Sequence, residues 1–578
     1  MLTKLRLHNF KRFDDAEIEL GDAVVFIGPN NSGKTTALQA LTLWDIGLHR
    51  WLSKRGKGSQ AGERAGVAVN RRDLLAVPVP SGRLLWRDLD VRKVTRPDNK
   101  QSTKNVLMNI IVEGITAGVG WKCGLEFDYT NEESFYVRPV RLHEAEGTAR
   151  MPIPDQAADV RIAYLPPMSG LASEEFVKQA GEISVLIGQG QTAQVLRNLC
   201  YTVCYPQGIE REASDHWKRI AGEIERLFGT ELLPPVYRPE RSEIRMQFRQ
   251  GSALLDLSSA GRGLQQTLLL LAYVYSNPRS VLLLDEPDAH LEVLRQRQTY
   301  QLIHAIAREQ ETQIITASHS EIVLNEAAAT GSVIAFVGKP HLLTGQTSQV
   351  IKSLTTLGWD QYVQAEETGW VLYVEDATDF AILKAFAELL KHPVRAHLDR
   401  CFVHYVATNV PQQARGHFYG LQEAKPDLVG FALFDRLDKA LPKDTALIET
   451  MWRRREIENY FTTNDVLMRW VSADKPTDLF AWSQREEGEQ AMTRAITRVT
   501  EALSLDNKTP WSADTKASDE VLDRIFRVFF QEQGKPVLFR KADYYQLVQF
   551  LKPEEVDPEV IEKLDSILQV SQAAKPSQ

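Results

Sequence analysis

The sequence predicts an α/β protein with two successive α/β units and a helical C-terminal region. Three observations support this prediction. First, the apolar run Ala23–Ile27 leads through a glycine-rich turn into a helical pattern, as expected of a buried strand that feeds a helix. Second, helices and strands alternate regularly over 264–336, and third, they do so again over 371–434. After about residue 471 the pattern is polar and helical.

Length and composition restrict the class of protein. The chain has 578 residues, which is too long for one ordinary core, and 43% of them are hydrophobic. No apolar run approaches the ~20 residues that span a bilayer, and the first residues have a strand pattern and not that of an export signal. The four cysteines make no disulfide framework. We therefore expect a cytoplasmic protein that does not contact membranes.

The net charge of −8 excludes a general attraction to nucleic acid, so DNA binding requires a local basic patch or bridging cations.

In chain order, we expect strands over 2–7, 16–20 and 23–27, a helix over 35–43 and a glycine-rich loop over 47–66. Helices are expected over 174–199 and 210–227, both too short for a long coiled-coil arm. Strands at 281–284, 313–317 and 332–336 follow, separated by helices. The predicted domains are 1–340 with a helical dimerisation insert at about 170–230, a joint at 341–368, a second α/β domain at 369–471, and a helical region at 472–578.

Residues 28–35 match the pattern G-x-x-x-x-G-K-[ST] in full. Backbone N–H groups of such a loop surround phosphates at a helix N-terminus. Lys34 is expected to reach the terminal phosphates, and the Thr35 hydroxyl to bind Mg²⁺. A chance glycine-rich turn is disfavoured by the strand before and the helix after. The predicted nucleotide-binding residues here are Gly28, Pro29, Asn30, Asn31, Ser32, Gly33, Lys34, Thr35 and Thr36.

Two carboxylates follow the apolar strand at 281–284. Asp285 is expected to hold the Mg²⁺ shell, and Glu286 to polarise the attacking water. The alternative is a helix-capping acid, but Asp-Glu-Pro directly after four apolar residues argues against it.

Two weaker motifs complete the set. Ser259 and Gly261 are small residues at a predicted helix start, where a loop is able to meet a γ-phosphate across a dimer interface. His319 follows the strand at 313–317, although a lone histidine is more often structural.

The four motifs in this order make residues 1–340 resemble the ABC-type ATPases of the SMC and double-strand-break-repair group, in which His319 would be the switch histidine. The resemblance implies that Ser259 contacts the ATP of a second chain, and therefore a homodimer through the ATPase heads, with assembly beyond two copies left open. The usual glutamine of the Q-loop is not evident, and the stretch 70–75 is the candidate replacement.

Acidic residues follow the strands of the second α/β unit. Groups at the carboxyl ends of parallel strands converge on one edge of the sheet. Close carboxylates repel by roughly 4 kcal/mol per pair at an effective dielectric near 20, so they stay ionised together only beside a cation. Carboxylate oxygens suit Mg²⁺ or Mn²⁺, which support phosphodiester hydrolysis. The alternative is a set of helix caps and solvated acids. The residues concerned are Glu375, Asp379, Asp435, Asp438, Glu456 and Glu458.

This arrangement resembles a Toprim domain, a Rossmann-like α/β fold. An ABC-type ATPase, then Toprim, then a helical tail is the order of the OLD (overcoming lysogenization defect) family. The resemblance implies that Glu375 is a general base or metal ligand, and that Asp379, Asp435, Glu456 and Glu458 are metal ligands. Either Asp438 swings in as a further ligand or one metal site is weakened. It also implies that Lys541 reaches the site from the tail.

Two features depart from the Toprim pattern or depend on local structure. The usual Asp-x-Asp is here Asp435-Arg436-Leu437-Asp438, so the second aspartate is displaced by one. Glu456 and Glu458 face the same way only in an extended chain. The neighbouring residues 453–455, all arginine, either hold DNA phosphates or form a surface cluster.

The leading hypothesis is an ATP-dependent, Mg²⁺- or Mn²⁺-dependent DNA endonuclease that defends against phage or foreign DNA. A second hypothesis is an ATPase sensor or scaffold whose Toprim-like unit is no nuclease and controls a separate effector protein. A third is a DNA-repair ATPase.

Overall fold

The computed structural model forms two compact units, Met1–Thr347 and Ser348–Gln578. The residues that it describes are 1–56, 65–74, 77, 79–95, 102–141, 150–208, 210–330, 332–343, 357–442, 446–473 and 479–577.

The first unit contains a mixture of strands and helices. Its strands are β1 Leu2–Phe10, β2 Phe13–Glu19, β3 Ala23–Ile27, β4 Val67–Asn70, β5 Arg92–Thr95, β6 Ser102–Asn105, β7 Met108–Thr116, β8 Val119–Asn131, β9 Ser134–Pro139, β10 Ile162–Leu165, β11 Glu231–Leu232, β12 Val236–Arg238, β13 Glu243–Arg245, β14 Gln247–Gln250, β15 Ala253–Asp256, β16 Val281–Asp285, β17 Gln313–Ser318, β18 Ser332–Ala335 and β19 His341–Leu342. Its helices are α1 Lys34–Arg55, α2 Asp155–Ala158, α3 Ala180–Gly188, α4 Leu196–Cys204, α5 Asp215–Phe228, α6 Arg262–Ser276, α7 Val293–Glu309 and α8 Glu321–Thr330.

The central sheet of this unit has the order β10-β16-β17-β3-β18-β19. Its first five strands are parallel, and only β19 runs antiparallel to its neighbour. The strands β16, β17 and β3 are almost fully buried, which explains their continuous apolar sequences. Their carboxyl ends lie side by side at one edge, so the residues that follow them meet there.

A second, antiparallel sheet has the order β2-β1-β7-β8-β9-β4 and packs against helix α1. Trp44 of α1 donates a hydrogen bond of 3.1 Å to the Cys123 carbonyl, and a Cβ at Gly47 would lie 3.1–3.2 Å from side chains of β8 and β9. The helix therefore continues to Arg55, and the prediction of a loop from residue 47 is wrong over 47–55. Buried Leu48 and Trp51 explain the difference, because the glycine allows close packing. Residues 57–64 of that predicted loop lie outside the described residues.

Two further predictions for this unit need correction. The helix expected over 174–199 is divided into α3, a 3₁₀ turn at Thr192–Gln194 and α4, and Gly190 between them has a φ of 77°. The stretch 70–75, the candidate for the Q-loop, begins at the last residue of β4. This strand is the edge strand of the antiparallel sheet and does not belong to the central sheet. Leu75 lies outside the described residues.

The second unit contains a parallel sheet and a large helical part. Its strands are β20 Trp370–Val374, β21 Phe402–Tyr405, β22 Val429–Phe434 and β23 Leu447–Met451. Its helices are α9 Trp359–Thr368, α10 Ala377–Leu389, α11 Arg395–Leu398, α12 Pro411–Gln422, α13 Asn464–Ser472, α14 Leu479–Ser504, α15 Asp523–Glu532 and α16 Pro558–Ala573, with 3₁₀ helices at Ile457–Tyr460 and Lys541–Phe550 and a π-helix at Ala517–Leu522.

The sheet has the order β21-β20-β22-β23, and all its described pairings are parallel. Buried residues of α13 to α16 join β20 and β22 in one hydrophobic core. The 3₁₀ helix Lys541–Phe550 packs along α10. This packing brings the late helical sequence to the carboxyl edge of the sheet.

No helix among the described residues is long and apolar enough to cross a membrane.

Candidate functional site

The phosphate loop connects β3 to α1 and requires glycine at two positions. Gly28 has a φ of 157°, and a Cβ there would lie 2.7 Å from the Phe336 carbonyl oxygen. Gly33 has a φ of 106°, and a Cβ there would lie 2.7 Å from Arg12 Cδ. The curled backbone that both glycines permit is what phosphate binding needs.

Lys34, the first residue of α1, is buried beneath this loop. Its Nζ donates hydrogen bonds of 2.7 Å to the Gly28 carbonyl and 2.9 Å to the Pro29 carbonyl. Burial lowers the pKa of Lys34, while Glu286 and Asp285 oppose that effect. The ammonium is therefore held at the loop, next to the position of the phosphates.

Asp285 lies at the end of β16, and both its carboxylate oxygens are engaged. Thr35 Oγ1 donates a hydrogen bond of 3.1 Å to Oδ1, and Tyr164 OH donates one of 3.1 Å to Oδ2. Burial raises the pKa of Asp285 to about 6, because the charged form loses solvation. An adjacent hydroxyl and carboxylate suit Mg²⁺, whose preferred ligands are oxygen atoms. Thr35 and Asp285, which were each expected to bind Mg²⁺, are thus hydrogen-bonded neighbours.

Glu286 follows in a left-handed conformation, with a φ of 50°. Its N–H donates to the Ala317 carbonyl at 2.9 Å, which fixes the backbone between β16 and β17. Its Oε1 is 3.8 Å from Nδ1 of His319, a distance too long for a direct hydrogen bond. Both side chains remain accessible, with 37% and 55% of their surface exposed. A general base that receives a proton from water needs such access.

Ser259 and Gly261 lie in an exposed turn before α6. Asp256 caps this turn by accepting a hydrogen bond of 2.9 Å from the Ser258 N–H, and buried Gln265 donates to the Ala260 carbonyl at 2.9 Å. None of the hydrogen bonds between described residues joins this turn to the phosphate loop of the same chain. The turn is ordered and faces solvent.

Two residues of this site were not predicted from the sequence. Arg12, in the turn between β1 and β2, donates through Nη1 to the Asn31 carbonyl of the phosphate loop. Tyr164 reaches Asp285 from β10. A basic residue in a hairpin turn and a tyrosine in a short apolar strand are common, so neither gives a recognisable sequence signal. Their roles depend on sheet order alone.

In the second unit, acidic side chains gather where β20 and β22 end. Glu375 directly follows β20, Asp379 is in the first turn of α10, and Asp435 directly follows β22. Burial raises the pKa of Asp379 to about 7, with further contributions from Asp376 and Glu375. Burial raises the pKa of Asp435 to about 8, with contributions from Asp379, Glu456 and Glu375. The strands therefore bring these acids together as expected.

Glu456 and Glu458 belong to the same cluster, and both are buried. Glu456 has an extended backbone, with φ −151° and ψ 171°, and it accepts a hydrogen bond from the Ser518 N–H. Glu458 follows in the 3₁₀ helix, and its Oε1 has no hydrogen-bond partner. Burial raises the pKa of each, and that of Glu458 also rises through Glu456 and Asp379. The extended backbone at Glu456 lets both carboxylates enter the cluster.

Lys516 lies near Asp435 and Glu456. Lys541 is a second cation beside this cluster. Its Nζ lies 3.5 Å from Asp376 Oδ2, and half of the side chain is accessible. Burial on its own would lower the pKa of Lys541, but Glu458, Asp376 and Asp379 outweigh that effect and raise it. The lysine at the start of the 3₁₀ helix Lys541–Phe550 is thus close to the acids of β20 and α10.

Asp438 stands apart from the cluster, in an exposed position. It is not among the main charges that act on Asp435. The three arginines at 453–455 also differ in their surroundings. Arg453 pairs with Glu562 at 2.8 Å and Arg454 pairs with Asp557 at 2.8 Å, so two of the three are held by carboxylates. These arginines form a surface cluster more than a free phosphate-binding patch.

The cluster has the charge and the oxygen donors that suit a divalent cation, and the unpartnered buried Glu458 Oε1 fits one. Within the described parts of the chain, however, no three histidine, cysteine, aspartate or glutamate side chains are arranged to hold a metal ion. The carboxylates would have to converge further to coordinate one.

Comparison with known protein families identifies the motifs of the first unit. A family model described as "AAA ATPase domain" matches residues 1–44. Another, described as "AAA domain, putative AbiEii toxin, Type IV TA system", matches residues 211–325. No curated protein matches the chain.

Several solved structures are similar to the chain at low identity. The SMC head domain from Thermotoga maritima is 16% identical with a TM-score of 0.31, covering 60% of this chain and 99% of that one. An Smc head bound to the C-winged helix domain of ScpA is 13% identical with a TM-score of 0.33, and the match covers 59% of this chain and 97% of that one. A third structure is an Smc head with an extended coiled coil, bound to the C-terminal domain of ScpA derived from Pyrococcus furiosus. It is 14% identical with a TM-score of 0.33, and the match covers 59% of this chain and 96% of that one. These values are too low to inform function.

The residues of this chain that the two family models match include the phosphate loop, the turn at 257–261, Asp285, Glu286 and His319. The first unit therefore carries an AAA-type P-loop ATPase domain that binds and hydrolyses ATP.

Proposed function

We propose that this chain is an ATP-driven homodimeric nuclease of the OLD type, which cuts foreign DNA such as that of phage. The ATPase comprises about residues 1–342, the joint lies between β19 and α9, and a Toprim domain at 369–471 performs the cleavage with support from the helical region at 472–578. The family description of residues 211–325, which names a toxin of a toxin–antitoxin system, supports a role in defence.

The ATPase step follows from the side chains at the edge of the central sheet. Lys34 and the loop N–H groups bind the phosphates, and Thr35 with Asp285 would hold Mg²⁺. When bound, Mg²⁺ neutralises charge on the phosphate oxygens. Glu286 orients a water and accepts its proton, and His319 stands beside it at 3.8 Å.

The proposed dimer places the exposed turn with Ser259 and Gly261 against the γ-phosphate of a second chain. Its exposure in one chain supports this assignment, because a structured polar turn without a ligand of its own is free to meet one from outside. ATP bound by one chain would then provide the contact through which the second chain assembles.

The acidic cluster is the observation that supports the nuclease proposal most directly. Burying several carboxylates in one place is costly without a cation, and here Asp379, Asp435, Glu456 and Glu458 all have raised pKa values. A divalent ion would be held by these four residues, and it would supply a polarised phosphate and an activated water. Glu375 is the general base of this proposal.

Supercoiled plasmid tests the nuclease proposal. The protein is incubated with plasmid and Mg²⁺ or Mn²⁺, with and without ATP. We expect nicking by wild type, a loss of at least 100-fold in Glu375→Ala and Asp435→Asn, and wild-type rates in Asp438→Asn, because Asp438 is exposed outside the cluster. The absence of nicking by wild type under all conditions would refute the nuclease. Nicking by both cluster variants would refute the assigned residues only.

One observation favours a second candidate function, that of a sensor or scaffold which controls a separate effector. Lys541 already supplies a positive charge to the acids, and no three of the described acids form a coordination set. Under this alternative, Mn²⁺ titrated into the full chain does not bind at the cluster, and the Lys541→Met variant does not bind Mn²⁺ there either. Under the nuclease proposal, Lys541→Met binds Mn²⁺ more tightly, because a competing cation is removed, whereas Lys552→Met, an exposed lysine elsewhere, does not.

A further inference from the structure

A buried arginine connects the helical insert to the turn at 257–261. Arg197 lies in the first turn of α4, and its side chain is 2% exposed. The carboxylate of Glu175 accepts hydrogen bonds of 2.9 Å from the Arg197 N–H and 2.7 Å from the Asn198 N–H, which fixes the start of α4. The guanidinium donates through Nη1 to the Ala172 carbonyl at 3.1 Å. Its direction is therefore set by the insert itself.

The second guanidinium nitrogen reaches the turn. Arg197 Nη2 donates a hydrogen bond of 3.0 Å to Asp256 Oδ1. The same oxygen accepts hydrogen bonds from the Ser258 N–H at 2.9 Å and from Ser258 Oγ at 2.8 Å. One carboxylate oxygen thus joins α4 to the backbone that precedes Ser259. A buried guanidinium that loses a hydrogen-bonded carboxylate is strongly disfavoured, so the two elements are constrained to keep this contact.

The opposite side of the turn is held by Gln265, which is buried in α6. Its Nε2 donates to the carbonyls of Leu257 at 3.2 Å and Ala260 at 2.9 Å. The turn is therefore fixed to α6 on one side and to α4 on the other, and only its serine face remains exposed. Arg197 belongs to the helical insert, and Gln265 belongs to α6, the helix that follows the turn.

We propose that Arg197 is a positioning residue that, through Asp256, sets the turn which presents Ser259 to the ATP of the partner chain, and so couples the helical insert to ATP-driven dimerisation. This inference rests on the composite site proposed above. Hydrogen bonds to a γ-phosphate depend steeply on geometry, and a displacement of about 1 Å in a catalytic group costs on the order of 100-fold in rate. A ligand or partner that shifts α4 would change ATP turnover by the same route.

The test separates nucleotide binding by one chain from assembly of two. ATP affinity, kcat and ATP-dependent dimerisation are measured for full-length Arg197→Met, Arg197→Lys and Asp256→Asn, with dimerisation followed in a Glu286→Gln background. We expect Arg197→Met and Asp256→Asn to bind ATP within about twofold of wild type, and to lose roughly tenfold or more in kcat and dimerisation. Arg197→Lys retains the charge and restores part of the loss. The double variant Arg197→Met with Asp256→Asn should be no worse than either single one, because both act through one contact.

Arg219→Met is the matched control, because it breaks an exposed 2.8 Å ion pair with Glu309 elsewhere in the same unit. Wild-type dimerisation and kcat in both Arg197→Met and Asp256→Asn would overturn the inference. Equal losses of ATP affinity and kcat in folded variants would also overturn it, since they indicate general damage. If Arg197→Met does not fold, Asp256→Asn decides, because Asp256 is more exposed. If the Glu286→Gln protein itself does not dimerise with ATP, the composite site is wrong, which is a distinct result.

Discussion

The hydroxyl of Thr35 donates a 3.1 Å hydrogen bond to Asp285 Oδ1, across 250 residues of sequence. Thr35 follows β3 and Asp285 ends β16, and β17 lies between these two strands in the sheet. The phenol of Tyr164 holds the other carboxylate oxygen from β10. The residues proposed to hold magnesium therefore come together only when β10, β16, β17 and β3 are paired, which connects nucleotide chemistry to the fold of the central sheet.

Replacement of Lys34 by alanine should abolish tight ATP binding. The buried ammonium is held at the phosphate loop by two carbonyls, and hydrogen bonds to charged groups contribute about 1.5–3 kcal/mol each. We expect a loss of at least 10- to 100-fold in affinity for ATP, measured by fluorescent-nucleotide titration. Lys54→Ala, in the exposed last turn of the same helix, serves as control and should bind as wild type does. Equal affinity in the two variants would contradict the role of the loop.

The change Glu286→Gln should trap ATP and stabilise the dimer. Glutamine keeps the shape of the side chain but cannot accept a proton from water, and general-base catalysis contributes typically 10²- to 10⁴-fold. We expect kcat to fall by at least 100-fold while ATP affinity is retained, and light scattering to show a dimer that persists with ATP. Turnover at the wild-type rate would exclude Glu286 as the base.

Loss of the Tyr164 hydroxyl should raise the Mg²⁺ requirement. Tyr164→Phe removes one of the two described hydrogen bonds that orient Asp285, worth about 1 kcal/mol. We expect a three- to tenfold increase in the Mg²⁺ concentration for half-maximal ATPase activity, with kcat at saturating Mg²⁺ nearly unchanged. Tyr273→Phe is the matched control, because its hydroxyl bonds the Tyr164 carbonyl and not Asp285. Identical magnesium curves for the Tyr164 variant and wild type would show that the contact has no role.

The acidic cluster should make the metal-free protein less stable as pH rises. The folded-state pKa values of Asp379 and Asp435, about 7 and about 8, lie above those of an unfolded chain, so folding favours the protonated forms. Their contribution to stability is complete below about pH 4 and is lost as pH rises through 7 to 8. Each tenfold difference in proton affinity is worth about 1.4 kcal/mol. Thermal unfolding in EDTA should therefore show a falling Tm between pH 5 and 9.

In Asp435→Asn this fall should be smaller, because the amide does not titrate. Addition of Mn²⁺ should restore the Tm of wild type at high pH. A Tm that rises with pH over this window would contradict the raised pKa values of these carboxylates. Equal slopes of Tm against pH in the two proteins would contradict them as well.

Many of the strands and the chemistry of single motifs were predicted from local sequence. The bounds of β3 agree fully with the prediction, because a short apolar run that ends at a glycine-rich turn is typical of a buried strand. Helix boundaries were less secure. The helix α1 continues to Arg55, past Gly47, because that glycine lies against a sheet whose position local sequence does not reveal.

The sequence by itself determined which residues could bind phosphate, magnesium and water, because those roles depend on residue type and on close neighbours in the chain. Only the tertiary structure decided which of them act together. It joined Tyr164 and Thr35 on Asp285, drew Lys541 to Asp376, left Asp438 exposed, and linked Arg197 to Asp256. The physical reason is that sheet order and helix packing set the distances between residues that are far apart in the chain. Hydrogen bonds and Coulomb forces depend on these distances and not on separation along the chain.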